Sequence, residues 1–224
     1  MKILKDIKDW KECINEVVCG DSLAIMKMIP DNAIDLCLTD PPYGIGIDKI
    51  QSERGNTRGF GKNAGSYKKY HEQDWDNKIP ANEFFDEIKR ISKNWIIFGG
   101  NYFPYLEDSG VIIWNKGGSG KFKEGELAKT NINTFKIFYF SRSDAYINQL
   151  DTVVKVHPTQ KPLELMRWCL ENYAKDCKTV IDPFAGSFTT ARACKDMNFD
   201  WIAIDQEKKY CEIGESRLRQ ENLF

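Results

Sequence analysis

Two kinds of acid in this 224-residue chain have a setting that suggests chemistry. The first is Asp40, followed by Pro41, Pro42 and Tyr43. Two prolines in a row restrict φ and remove two backbone donors, so the carbonyls here are not spent on a sheet ladder. A carboxylate beside a proline carbonyl offers two acceptors to a planar NH2 group, which has two hydrogens to donate. Tyr43 can stack on the ring that carries such a group. The plainer alternative is a turn after a strand, with its tyrosine packed inward. The second kind comprises Asp21, Asp182 and Asp205, each at or just after the C-terminal end of an expected strand. Open α/β sheets bind ligands along that edge, although aspartate also caps helices. Asp182-Pro183-Phe184-Ala185-Gly186-Ser187 sets a glycine in a strand-to-helix turn, and Asp205 follows Asp182 by 23 residues. That spacing is close to the one at which dinucleotide folds place an acid on ribose hydroxyls. An acid in the turn itself would repel a pyrophosphate, so a nucleoside with a positive or zwitterionic tail fits better than a dinucleotide.

The apolar pattern supplies elements to hold these residues. Strands are expected at Glu16–Cys19, Ile34–Thr39, Trp95–Phe98, Val111–Trp114, Thr134–Phe140, Val180–Phe184 and Trp201–Ile204. Helices are expected at Ser22–Ile29, Pro80–Ser92, Asn101–Asp108, Ser187–Met197 and Gln206–Leu218. Another opens at Pro162, with apolar residues at 163, 166, 169, 170, 173 and 174. Strands alternating with helices imply a mostly parallel sheet covered on both faces. Residues 44–79 lose periodicity and are rich in glycine, and 115–126 form a second loop rich in glycine and lysine. Long loops of this kind are often functional. With no repeat or linker in view, 1–224 reads as one domain.

Composition removes several classes of function. With 42% apolar and 29% charged residues the chain is globular rather than disordered. The tightest apolar cluster, Trp95 to Phe98, is strand-sized, far short of a membrane span. The N-terminus has no signal-peptide core. Seven cysteines without a CxxC pair point to buried thiols in a reduced, cytoplasmic setting. His71 and His157 are the only histidines, which argues against a histidine-built metal site; no metal is expected. Net charge is -1, yet 45–71 and 111–142 each carry six basic against two acidic residues. Two basic segments on an acidic body suit a polyanion met through loops, and they equally suit solvated loops.

Taken together, the segments DPPY (40–43), VIIWNKG (111–117), HPTQKP (157–162), DPFAGSFTT (182–190) and WIAIDQEKKYCEIGESRL (201–218) resemble the β-class, S-adenosylmethionine-dependent DNA amino-methyltransferases. The resemblance spans nearly the whole chain, in that class's circularly permuted motif order. It implies a Rossmann-like methyltransferase fold with a mostly parallel, seven-stranded sheet and helices on both faces. It also implies methyl transfer to the N6 amino group of an adenine flipped out of double-stranded DNA. Asp40, Pro41, Pro42 and Tyr43 would then be catalytic. Asp21 would meet the cofactor's adenine edge, Asp205 its ribose hydroxyls, and Asp182, Phe184, Gly186 and Ser187 its methionine and sugar end, while Lys161 would help hold its carboxylate side. DNA contacts fall to Arg54, Arg58, Lys62, Lys116, Lys121 and Lys123, with an active-site loop at 44–79 and a short target-recognition region at 115–156. Cytosine N4 is the alternative target, although the family's cytosine members more often carry SPPY. A homodimer and a partner restriction nuclease are compatible with the resemblance. One residue departs from it: Phe188 stands where the family's GSGTT has glycine. If that glycine lies under the cofactor, the chain is a weak or inactive cofactor- and DNA-binding homologue; if the side chain turns into the helix packing, Phe188 is an extra core residue.

Overall fold

Alternate residues of Ile34–Thr39 (β3) feed two separate cores, Leu36 and Leu38 one of them and Cys37 the other. A strand apolar on both faces belongs in the middle of a covered sheet. There β3 runs parallel to Ser92–Phe98 (β4) on one side and Thr179–Asp182 (β8) on the other. The computed structural model describes residues 1–46, 78–106, 110–117, 124–141 and 160–220. Its remaining strands are β1 (Lys2–Ile3), β2 (Glu16–Cys19), β5 (Gly110–Asn115), β6 (Gly125–Thr130), β7 (Phe135–Tyr139) and β9 (Asp200–Asp205). Among the described residues they form one sheet in the order β1-β2-β9-β8-β3-β4-β6-β5-β7. Only β6 is antiparallel to its neighbours.

The sheet therefore has nine strands where seven were expected. The addition that matters is β6, which lies where sequence suggested a loop and the start of a recognition region. Its residues give no apolar run, and only Ala128 and Thr130 are buried, so nothing in the pattern marked it. With β6 and β7 built into the sheet, Lys129 and Lys136 sit on strands. The helix expected over 101–108 is a single 3-10 turn at Gly100–Tyr102.

Among the described residues five α-helices cover the faces: α1 (Ser22–Met28), α2 (Asn82–Ile91), α3 (Leu163–Tyr173), α4 (Thr189–Asp196) and α5 (Lys208–Arg219). Asp21 caps α1 by accepting from Leu23 N at 2.9 Å, and Pro30 follows the helix end, where helices commonly stop. On α2 the residues Phe85, Ile88 and Ile91 recur every three positions and are all buried. From β3 the chain moves through α2 to β4 in one direction; from β8 it moves to β9 in the other. The β3/β8 junction is thus a topological switch point, where an open α/β sheet leaves a crevice for ligands.

Phe188 takes the second of the two courses open to it. It sits at φ 59°, ψ 31°, just before α4, in the left-handed region that glycine enters freely and that costs another residue about 1–2 kcal/mol. Its ring is fully buried and lies against Gly214 of α5, where an added Cβ would overlap it. The phenyl group fills the space between α4 and α5, and burying it offsets the backbone strain. We expect Gly214→Ala to destabilise the protein by about 1–3 kcal/mol through overpacking and to cost less than half as much in a Phe188→Gly background. Chemical denaturation of the four proteins in this cycle checks it; equal costs in both backgrounds would refute the packing account.

Candidate active site

β2, β9, β8 and β3 are consecutive in the sheet, so the acids that follow them line one edge. Asp40 is the first residue after β3, and Asp182 and Asp205 are the last residues of β8 and β9. The two halves of the site touch directly: Thr39 Oγ1 donates to Asp182 Oδ1 at 2.6 Å, and the same oxygen accepts Phe184 N at 3.1 Å. Burial pushes the Asp182 carboxyl up to about 6, against the opposing hydrogen bonds of Thr39, Thr190 and Phe184.

The turn after β8 is tied down on three sides. Asp205 Oδ2 accepts Gly186 N at 2.9 Å and Oδ1 accepts Glu207 N at 2.8 Å. Burial outweighs these bonds and lifts the Asp205 carboxyl to about 7. Ala185 N donates to Ile204 O at 2.9 Å, joining the turn to β9. From behind, the buried guanidinium of Arg217 on α5 donates to Ser187 O at 2.7 Å and to Thr189 Oγ1 at 3.0 Å. Phe184 packs on Phe84 of α2 with ring centroids 5.4 Å apart. Asp21 is exposed and adjoins this group, because Gly20 N donates to Asp205 O at 3.0 Å. Asp21, Asp182, Phe184, Gly186, Ser187 and Asp205 are thereby brought together at the switch-point edge.

Around Asp40 the arrangement differs from expectation. Tyr43 Oη donates to Asp40 Oδ1 at 2.5 Å, while its ring is stacked on Tyr102 at 4.9 Å with 13° between the planes. Gly99, at φ 70°, makes room for this, since a Cβ there would overlap the Tyr43 ring. The ring expected to stack on a ligand is partly buried and rests on Tyr102, and its hydroxyl orients the carboxylate. Lys161, just before α3, is engaged beside Asp40. Its buried ammonium donates to Asp40 Oδ2 at 2.5 Å and lies 3.2 Å from Tyr43 Oη and 3.1 Å from Glu126 Oε2. Proximity to these acids outweighs the large cost of burying the cation, so its ammonium is held above the usual lysine range. Burial raises the Asp40 carboxyl, with Lys161 opposing the rise and Glu126 adding to it.

Lys116 also departs from its expected role. It is buried on the β5–β6 hairpin, ion-paired with Glu126 Oε1 and 4.5 Å from the Trp114 ring centroid, which leaves it unsuited to grip a phosphate. Arg54, Arg58, Lys62, Lys121 and Lys123 lie outside the described residues, as do most of the 44–79 loop and parts of 115–156. Sequence missed Glu126, Arg217 and Thr39 as residues of the site. Glu126 counted only as one acid within a basic stretch, Arg217 fell within the last expected helix with no role given to it, and Thr39 was read only as the end of a strand. Two cations draw the Glu126 carboxyl down to about 2 although burial alone would raise it.

A family model described as DNA methylase matches residues 128–216. The chain is 38% identical over 254 residues to the Type II methyltransferase M2.LlaDCHI of Lactococcus lactis subsp. cremoris, covering 91% of this chain and 89% of that one. Among solved structures, the cytosine-N4-specific PvuII DNA methyltransferase superposes with a TM-score of 0.60 at 17% identity, covering 93% of this chain and 87% of that one. The M1.HpyAVI–SAM complex gives 0.56 at 19%, covering 92% and 99%. At these identities the two structures bear on the fold, which they share with this chain.

Two carboxyls raised by burial have a consequence for stability. Their pKa values in the folded protein, about 6 for Asp182 and about 7 for Asp205, exceed the value of about 3.9 expected in the unfolded chain. The folded state therefore binds these protons more tightly, and the two groups subtract stability as pH rises from about 4, fully so above about 7. We expect the ligand-free protein to lose stability between pH 5 and pH 8, and Asp205→Asn to lose markedly less. Melting curves at unit pH steps check this; parallel curves for the two proteins would contradict it.

Proposed function

Because the chain belongs to the N6-adenine/N4-cytosine family of DNA amino-methyltransferases, we propose that it moves a methyl group from S-adenosylmethionine to N6 of an adenine flipped out of double-stranded DNA. The observation that carries this reading is the direct link from Asp40 through Thr39 to Asp182, which joins an acceptor for an amino group to a cradle for a nucleoside. The cradle suits that cofactor chemically. Its carboxylates can accept ribose hydroxyls and sit well beside a positively charged sulfur, whereas they would repel phosphates. A neighbour of the same fold is a SAM complex. When bound, the cofactor supplies a methyl group already activated on a sulfonium.

The protein's own part is positional and electrostatic. An adenine amino lone pair is delocalised into its ring and is a poor nucleophile. Acceptance of its hydrogens by Asp40 and the Pro41 carbonyl draws the nitrogen toward a tetrahedral geometry and favours the positive charge that grows on it. Holding that nitrogen at Asp40, one residue from the cradle's Thr39–Asp182 bond, would make the step effectively unimolecular. With the cofactor in the cradle, the lone pair would take up the methyl group and sulfur would keep the electron pair of the methyl–sulfur bond. The proton then leaves the nitrogen, to solvent or by way of Asp40. Extrusion of the base costs a few kcal/mol, which contacts with the DNA offset.

Adenine is favoured over cytosine by Asp rather than Ser at position 40. The cytosine-N4 specificity named for the PvuII enzyme belongs to that protein, which resembles this chain in fold at 17% identity. The reading of a weakened homologue depended on Phe188 crowding the cofactor, and a ring buried against Gly214 takes away that support. A second copy of the chain or a partner nuclease would act outside the chemistry of this site.

Product analysis is the direct test: incubation with methyl-labelled S-adenosylmethionine and unmethylated DNA of mixed sequence, then digestion and mass identification of labelled nucleosides. Label on N6-methyl-deoxyadenosine is expected. Label on N4 of deoxycytidine would correct the base, and no label would reject the activity. Asp40→Ala should lower transfer at least 1,000-fold and change cofactor affinity less than threefold by calorimetric titration. Asp205→Ala should weaken the cofactor first; the opposite pattern would mean the two halves of the site are misassigned.

A further inference from the structure

Asp40 is already occupied. Oδ1 accepts the Tyr43 hydroxyl and Oδ2 accepts the Lys161 ammonium, each at 2.5 Å. Each oxygen keeps a second lone pair, but an incoming amino group that is to donate to Asp40 must come in beside these two donors, one of them a full positive charge. Tyr43 is held by its stack on Tyr102, its edge contact with Phe103 and the close approach of Gly99. Lys161 ends a flexible four-carbon stem and has a second carboxylate within reach. That carboxylate is Glu126, whose buried Oε2 lies 3.1 Å from Nζ yet accepts no well-aligned hydrogen bond. The other oxygen of Glu126 is held by Lys116.

We propose that Lys161 is an exchangeable counter-ion for Asp40, occupying the amino-group position in the empty site and passing to Glu126 when the target base docks. The inference rests on the reading that Asp40 accepts the target amino group. Electrostatics make the hand-over necessary. A nitrogen gaining positive charge beside an ammonium in a buried site would be strongly repelled, and moving Lys161 onto Glu126 both vacates Oδ2 and neutralises that charge. The ammonium also has a role in the empty site: it opposes the rise that burial imposes on the Asp40 carboxyl. Glu126 is then a positioning residue that acts on the reaction through Lys161, and Lys116 keeps Glu126 ionised and in place. No covalent bond changes in this step; one ion pair is exchanged for another.

The test uses the full chain and a duplex with 2-aminopurine beside the target adenine found by product analysis, so that the adenine keeps its amino group and its flipping is read as fluorescence independently of turnover. With Glu126→Gln the ammonium has no second acceptor. We expect at least tenfold lower kcat and a reduced flipping signal, with cofactor affinity changed less than twofold. In a Lys161→Met background the same substitution should change either readout less than threefold, since nothing remains to hand over. Glu126→Asp, which keeps the charge, should recover most of the loss and guards against a folding defect. The acid limb of the kcat–pH profile should move down in Glu126→Gln, where Asp40 loses a neighbouring negative charge, and up in Lys161→Met, where it loses its cation. An active wild type with Glu126→Gln indistinguishable from it, or with equal losses in both backgrounds, would overturn the hand-over and leave the methyltransferase reading standing. A wild type that labels no DNA would overturn both.

Discussion

The hydrogen bond from Thr39 to Asp182 joins residues 143 positions apart, and the site depends on it. Thr39 and Asp182 end two parallel strands that are neighbours in space although the chain leaves them in opposite directions. No short connection holds that junction together; it rests on sheet pairing and on apolar side chains packed above and below. The junction places Asp40, the proposed acceptor for an amino group, one residue beyond a hydroxyl that holds Asp182, an acid of the proposed nucleoside cradle. A slip of one residue in β3 would turn every side chain of that strand to the opposite face and would separate the two halves of the chemistry.

Burial governs the electrostatics on either side of the junction with opposite results. In the cradle, Asp182 and Asp205 are surrounded mainly by neutral donors, so burial wins and both carboxyls are raised. Around Asp40 the buried charges alternate along Lys116, Glu126, Lys161 and Asp40. Each cation lies between or beside acids, and the whole set is neutral. Buried ion pairs of this kind seldom add net stability, because desolvation costs about as much as the attraction returns. Their use here is conformational: every charge has an opposite neighbour, and in the empty site the carboxylate at the end of the row is oriented by Tyr43 and Lys161.

Much of this was legible in the sequence because the relevant signals are local. Strand ends marked by Asp, a proline pair that stops a strand and a glycine turn before a helix follow from backbone geometry, and they located Asp21, Asp40, Asp182 and Asp205 on one edge. The helical faces of α2 and α3 followed from their apolar spacing. What escaped was non-local. Strand β6 has too few buried residues to show a period, and it becomes a strand because β4 and β5 each present an edge to it. Lys161 precedes α3 just as motif reading placed it, but the direction of its stem is set by Glu126 from a strand that the pattern hid. Lys116 seemed a surface lysine in a basic loop and is buried beside Trp114 for the same reason. Arg217 looked like one charge among several on the last helix, and only the approach of α5 to the 186–189 turn reveals what it holds.

Phe188 and Gly214 constrain how a chain like this one can change. A bulky residue at the left-handed position is tolerable only where α5 has no side chain facing it, so the order of substitution matters: glycine on α5 must precede phenylalanine at the turn. The reverse order passes through a chain in which two groups claim the same volume. Anyone transplanting a glycine-bearing turn into this scaffold would relax the backbone and at the same time leave a ring-sized void between α4 and α5. The turn and the last helix, 26 residues apart, are therefore best exchanged as a unit.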